Sequence, residues 1–250
     1  MHDKFHIISL NIDHVSFRES LGQVMQWALS HTPAYVCFAN VHMTMEAHKD
    51  ESFKENVNHA SLVLADGKPV AVAGKLLYGK KQERIAGMDF MPAVLEKANE
   101  HRAKVFLYGS TPQVLDALKE KITTDYKNVE LAGAIAPPFR ALDNAELSAY
   151  VDQINKSGAH LVLVSLGCPK QEKWMAANSA RINAVLLGVG GAFAVTAGLQ
   201  KRSPAWMQRS GLEWLHRLLQ EPGRLFKRYF VTNTGFLFLL SKELIKQKFS

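Results

Sequence analysis

The stretch HLVLVSLGCPKQEKWMAANSARINAVLLGVGGAF, residues 160 to 193, decides the fold class. It sets two Val- and Leu-rich runs, HLVLVSLG (160 to 167) and AVLLGVG (184 to 190), on either side of a polar stretch in which Pro169 suits a first helical turn. Short apolar runs without polar alternation suit strands buried on both faces, the pattern of a parallel sheet. Working outward, the same kind of run recurs as HIISLNI (6 to 12), YVCFAN (35 to 40), SLVLA (61 to 65), KVFLYG (104 to 109) and VELAGAI (129 to 135). Helical stretches fill most gaps. PQVLDALKEKI places Val114, Leu115, Leu118 and Ile122 along one side, as a sheet-covering helix does. Ala136 to Phe139, with its Pro pair, reads as a loop. The expected class is α/β, a mostly parallel sheet flanked by helices.

After Gly198 no further strand is predicted, and three helical pieces rich in Arg, Lys, Trp, Phe and Leu follow. A boundary near Leu199 divides the chain into a core, 1–198, and a basic amphipathic appendage, 199–250. The run YFVTNTGFLFLL in the last piece falls short of the roughly 20 residues that span a bilayer, but could lie in its interface.

Composition sharpens this division. The 250 residues are 47% hydrophobic and 21% charged, the range of a globular chain with one sizeable core. From Lys201 onward there are ten Lys or Arg against three Glu, a difference equal to the whole-chain net charge of +7. A basic patch so localised implies an anionic partner: phospholipid, diphosphate or nucleic acid. MHDKFHIISLNIDH has no basic n-region leading into a long apolar stretch, so a cytoplasmic protein is expected. Cys37 and Cys168 form no CxxC or His-rich cluster and read as free thiols.

In an open parallel sheet, ligands bind beyond the carboxyl ends of the strands, so polar residues just past each apolar run are the first suspects. Asp66 is the only carboxylate directly at such an end, and the adjacent Gly67 permits close approach. It is the best candidate for a general base, with capping of the helix that starts near Lys68 as the competing assignment. Gln171 is a site candidate or part of a structural helix start, and Asn40 a site candidate or a turn residue. Gly188, Gly190 and Gly191 follow a strand and precede a helix, where backbone NH groups can meet phosphate, although the GxGxxG spacing is missing. There is no DxD pair, so neither a metal nor a cofactor is required. Arg217, Arg224 and Arg228 could grip a diphosphate, or line a solvated helix face.

Four strings carry a family likeness. ADGKPVA (65 to 71), ERIAGMDF (83 to 90), VSLGCPKQEKW (164 to 174) and GVGGAFAVTAGLQKRSPAWMQRSGLEWLHRLLQEPGRLFKRY (188 to 229) resemble the TagA/WecG/CpsF family of bacterial glycosyltransferases, nearly end to end. The resemblance implies a Rossmann-like core with an appendage that completes the active site and associates with the inner face of the cell membrane. It implies an inverting transfer from a UDP-sugar to a polyprenyl-diphosphate-linked sugar, the moved sugar being of N-acetylmannosamine, uronate or glucose type. Asp66 matches the catalytic base, Asn40, Arg84 and Gln171 match other active-site positions, and Arg217, Arg224 and Arg228 match the appendage arginines. Two positions depart: Ala194 stands where similar sequences commonly carry Asp, and Phe38 stands where a hydroxyl residue is usual.

The partners expected are therefore a UDP-sugar, a lipid-linked acceptor and an anionic membrane surface, not nucleic acid. Exposed apolar surface on the appendage could also recruit a second copy into a homo-oligomer. Two rival classes remain at this level: an NAD-dependent oxidoreductase, disfavoured by the weak dinucleotide fingerprint, and a non-catalytic membrane-surface protein, which leaves the polar strand ends without a role.

Overall fold

The computed structural model describes residues 2–248; the side chains of Arg209, Arg224 and Arg228 lie outside the described residues. Two short strands, β1 (Lys4–Ile7) and β2 (Leu10–Asp13), precede α1 (Phe17–Leu29). Then follow β3 (Ala34–Ala39), α2 (Val41–Lys49), α3 (Glu51–Asn58), β4 (Leu62–Ala65), α4 (Lys68–Tyr78) and α5 (Gly87–His101). The alternation continues through β5 (Lys104–Gly109), α6 (Pro112–Asp125), β6 (Glu130–Ile135), α7 (Asn144–Lys156), β7 (Leu161–Ser165), α8 (Lys170–Asn178) and β8 (Val185–Gly188). Four helices end the chain: α9 (Ala192–Thr196), α10 (Ala205–Ser210), α11 (Glu213–Gln220) and α12 (Pro222–Lys248).

Strands β3 to β8 make one six-stranded sheet in the order β4-β3-β8-β7-β5-β6, parallel at every pairing. The apolar runs produce this because their side chains alternate between two cores. Cys37, Val162 and Leu186 point to one face, where they meet Phe53 and Met175. Val36, Leu163 and Leu187 point to the other, against Phe90, Leu95 and Phe193. The α/β, Rossmann-like class is thus confirmed, with a helical C-terminal segment. The run at 184 to 190 leaves the sheet at Gly188 because the chain turns back, Val189 N–H reaching Leu187 O at 2.9 Å and Gly190 taking φ +50°.

One expectation needs correcting. HIISLNI is not a single strand but a hairpin, with β1 and β2 antiparallel and the turn at Ile8 and Ser9. Ile8 carries φ +61°, an uncommon conformation for a β-branched residue, and no Gly or Asn marks the turn. It is held from outside. Asn58 donates to Ser9 O at 3.1 Å and accepts from Asn11 N at 2.8 Å, while Ile8 N–H reaches Glu243 at 3.3 Å. The hairpin in turn shields the sheet edge, where Asp13 accepts from Val63 N at 2.8 Å on β4.

Helix α12 packs on α2 and α4, burying Phe236 and Leu240 in the core that holds Met45. Gly235 lies where a Cβ would come within 2.8 Å of the Met45 methyl, so the helix seats closely. A neighbouring flank, roughly 100° round the helix from Phe236, carries Phe226, Phe230 and Leu237 at i, i+4 and i+11, all exposed. A helix apolar on two sides needs two partners, and the core supplies one.

Because Phe236 is 1% exposed and Phe230 is 67% exposed, the two should respond differently to truncation. We expect Phe236→Ala to destabilise the fold by about 3 to 5 kcal/mol and Phe230→Ala by less than about 0.5 kcal/mol, read from urea unfolding.

Candidate active site

The carboxyl ends of β3, β4 and β8 lie on one edge of the sheet, as parallel strands require. From neighbouring β3 and β8 the chain leaves to opposite faces, α2 into one core and α9 into the other, which opens a cleft between them. Asn40, Asp66 and the glycine run stand at its rim.

Asn40 is the N-cap of α2, its side-chain oxygen accepting from Met43 N at 3.1 Å. That bond fixes the amide, so its nitrogen is the group that donates to the Asp66 carboxylate. One side chain thus both caps α2 and reaches the Asp66 carboxylate. Asp66 follows β4, its backbone N–H bonded to Ala39 O at 2.8 Å. It does not cap α4, whose N-cap is Gly67 with no side-chain capping bond. Gly67 holds φ +97°, a conformation that disfavours other residues.

Burial pushes the Asp66 carboxyl up to about 6, against the pull of Arg84 and Arg217, the nearby charge of Glu213 adding to the rise and the Asn40 bond opposing it. A carboxylate poised there is ionised at neutral pH yet basic enough to take a proton.

Arg84 and Arg217 reach Asp66 from different parts of the chain. Arg84, in the loop before α5, donates to Asp89 at 2.9 Å and pairs with Glu213 of α11. Asp89 uses its other oxygen for Arg202, so Glu213, Arg84, Asp89 and Arg202 form a continuous ion ladder between core and appendage. Arg217, one turn along α11 from Glu213, lies over the glycine run: a Cβ at Gly191 would meet its guanidinium at 3.0 Å. Gly191 therefore makes room for an arginine.

The rest of the glycine run is engaged internally. The N–H groups of Val189, Gly190, Ala192 and Phe193 go to backbone carbonyls, and Gly188 gives its carbonyl to Gln171 Nε2 at 2.9 Å. A Cβ at Gly188 would also come within 2.7 Å of the Met175 methyl. Gln171 packs behind this turn, also bonding Glu172 at 2.7 Å, and its own side-chain oxygen is buried without a partner among the described residues. Glu172 is fully buried, which pushes it up to about 7. The side chains of Arg224 and Arg228, proposed from the sequence, lie outside the described residues.

Sequence reasoning missed Asp89, Arg202 and Glu213. Their signal is one of charge: Asp89 is the second acid of ERIAGMDF, and Glu213 is a rare acid in a basic segment. Such acids call for cationic partners. Among the described residues there is no group of three His, Cys, Asp or Glu side chains placed to hold a metal ion.

Comparison with known proteins gives the family. A family model described as "Glycosyl transferase WecG/TagA/CpsF family" matches residues 5–250. A Bacillus subtilis (strain 168) N-acetylglucosaminyldiphosphoundecaprenol N-acetyl-beta-D-mannosaminyltransferase is 32% identical over 218 residues, 86% of this chain and 82% of its own. A protein of the same description from Bacillus spizizenii is 33% identical over 192 residues, 76% of this chain and 73% of its own.

The raised carboxyl yields a stability prediction. Unfolded, Asp66 titrates near ~4; folded, near about 6, so its contribution is fully present below the first value and is lost as pH rises through the second. We expect Asp66→Asn to melt with the wild type at low pH and progressively above it between ~4 and ~6, reaching a plateau at neutral pH. Thermal melts across that range would check it.

Proposed function

The chain belongs to the WecG/TagA/CpsF family of glycosyl transferases, and from that premise we propose that it transfers a hexose-type sugar from a UDP-sugar to a sugar carried on a polyprenyl diphosphate. The observation that carries the reading is Asp66, a half-buried carboxylate raised to about 6 at a strand end, faced by Asn40, Arg84 and Arg217. The acceptor hydroxyl gives its proton to Asp66 while its oxygen bonds to the anomeric carbon. The bond from that carbon to the diphosphate breaks, and UDP leaves with the electron pair from the opposite face, inverting the configuration. Asn40 holds Asp66 in place, and Gln171 supports the glycine turn beneath Arg217.

Arginines aimed at the leaving diphosphate offset its growing charge, which is the work a divalent metal does in other transferases. We therefore assign a metal-independent reaction without a cofactor. The names of the Bacillus relatives support N-acetylmannosamine as the sugar and N-acetylglucosaminyl-diphosphoundecaprenol as the acceptor to test first. A lipid-linked acceptor also gives the second side of α12 a partner. Phe226, Phe230, Leu237 and Phe238 are exposed beside Lys227 and Lys242, a composition that suits the headgroup boundary on the inner face of the membrane. No helix among the described residues is long and apolar enough to cross a membrane.

Asp66→Asn should bind UDP normally and lose transfer by a factor on the order of 10² to 10⁴, since an amide does not take the hydroxyl proton. In the wild type, kcat/KM should rise with pH through about 6 and persist in excess EDTA. Mass-spectrometric assay with a short-chain acceptor tests all three, and near-normal turnover by the Asn variant would remove Asp66 from the mechanism. For the membrane face, replacing Phe226 and Phe230 together by Ser should weaken co-sedimentation with anionic vesicles, and high salt should weaken it in the wild type. Transfer to a water-soluble acceptor should survive in the double variant, because both side chains point away from the core.

A further inference from the structure

The ion ladder has a feature that the transfer reaction does not explain. Around the cleft stand three guanidinium groups, Arg84, Arg202 and Arg217, and three carboxyl groups, Asp66, Asp89 and Glu213. When all are ionised their charges cancel, although a diphosphate needs a surplus of positive charge. Two of the acids have fixed employment: Asp66 as the base, and Asp89 as a bridge held by two arginines. Glu213 has neither. It comes from the first turn of α11 and sits on Arg84, in the manner of a substrate oxygen.

We propose that Glu213 is a built-in stand-in for the diphosphate: in the unliganded protein it occupies the anion position on Arg84, and the nucleotide diphosphate must displace it. This rests on the reading of the cleft as a diphosphate site. Carboxylate and phosphate oxygens compete for the same guanidinium edge with similar bond geometry. Arg84 is only 20% exposed and its Nε is buried without a partner among the described residues, as is that of Arg202. Donor capacity is therefore present that the protein itself leaves unused. The displaced carboxylate also has other cations to turn to, since Glu213 borders a small cavity whose lining includes Lys201 and Arg202. Because Glu213 and Arg217 share α11 one turn apart, the exchange would take away a repelling charge while leaving an attracting one in place.

The test is calorimetric titration of the full chain with UDP and with inorganic pyrophosphate. E213Q keeps the shape but not the charge, and should bind both about tenfold more tightly than wild type, the scale of one charge-assisted contact. E213D, which shortens the arm, should fall between the two. In an Arg84→Ala background the gain from E213Q should vanish, which separates displacement at Arg84 from a general change in net charge. Equal or weaker binding by both E213Q and E213D, or a gain that survives loss of Arg84, would overturn the inference while leaving the transferase reading intact. Wild-type protein that binds neither ligand would overturn the diphosphate site and this inference together.

Discussion

A carboxylate held half-buried at the end of a buried strand has to be compensated, and Asp66 organises the molecule around that need. Its compensating groups come from three separated segments: Asn40 after β3, Arg84 before α5 and Arg217 on α11. None belongs to the strand that carries Asp66. Burial still prevails, leaving the carboxyl near 6 rather than in its ordinary range. The same requirement docks the appendage. Arg217 meets Asp66 only when α11 lies over the glycine run, and α11 is tied there by Glu213 through Arg84 to Asp89 and Arg202.

The sheet makes this convergence possible. Parallel strands put their carboxyl ends on one edge, so residues far apart in sequence meet without long loops. The glycines then set the distances. Gly188 lets Met175 and Gln171 close in from behind, and Gly191 lets Arg217 close in from the front, so the turn acts as a thin wall between a core glutamine and an appendage arginine. A Cβ at either position would separate the two layers.

How much of this could be read from the sequence depended on the range of the interaction. Five of the six sheet strands were legible because burial on both faces leaves an uninterrupted apolar run; the edge strand β6, exposed at Glu130 and half-buried along most of its length, carries a similar run. The hairpin at β1 and β2 was not, because its turn carries Ile8 and Ser9 and is secured by Asn58 and Glu243, from α3 and α12. Asp66 and Asn40 were legible as strand-end polar residues, but pattern alone could not separate site duty from capping at Asp66 or from a turn role at Asn40. The structure answers differently for each: Asn40 caps α2 and still reaches Asp66, whereas Asp66 leaves capping aside. Arg84 rested on family likeness alone, since its importance lies in partners as remote as Glu213. Asp89 and Arg202 were hidden for the same reason.

The appendage shows why division at a compositional boundary is only half of its physics. Charge and aromatic content change sharply after Gly198, yet Phe236 and Leu240 are packed with Met45, and Glu243 holds the hairpin turn. One side of α12 is therefore core in everything but sequence position. If the exposed side rests on lipid, as proposed, the same helix fixes the height of the cleft above the membrane, because a helix seated by Phe236 cannot rotate to present another face. Rigid seating of this kind suits an acceptor whose reacting sugar is separated from its lipid only by a diphosphate. The distance from membrane to Asp66 would then be set by packing inside the protein, and the lipid would need to supply only adhesion.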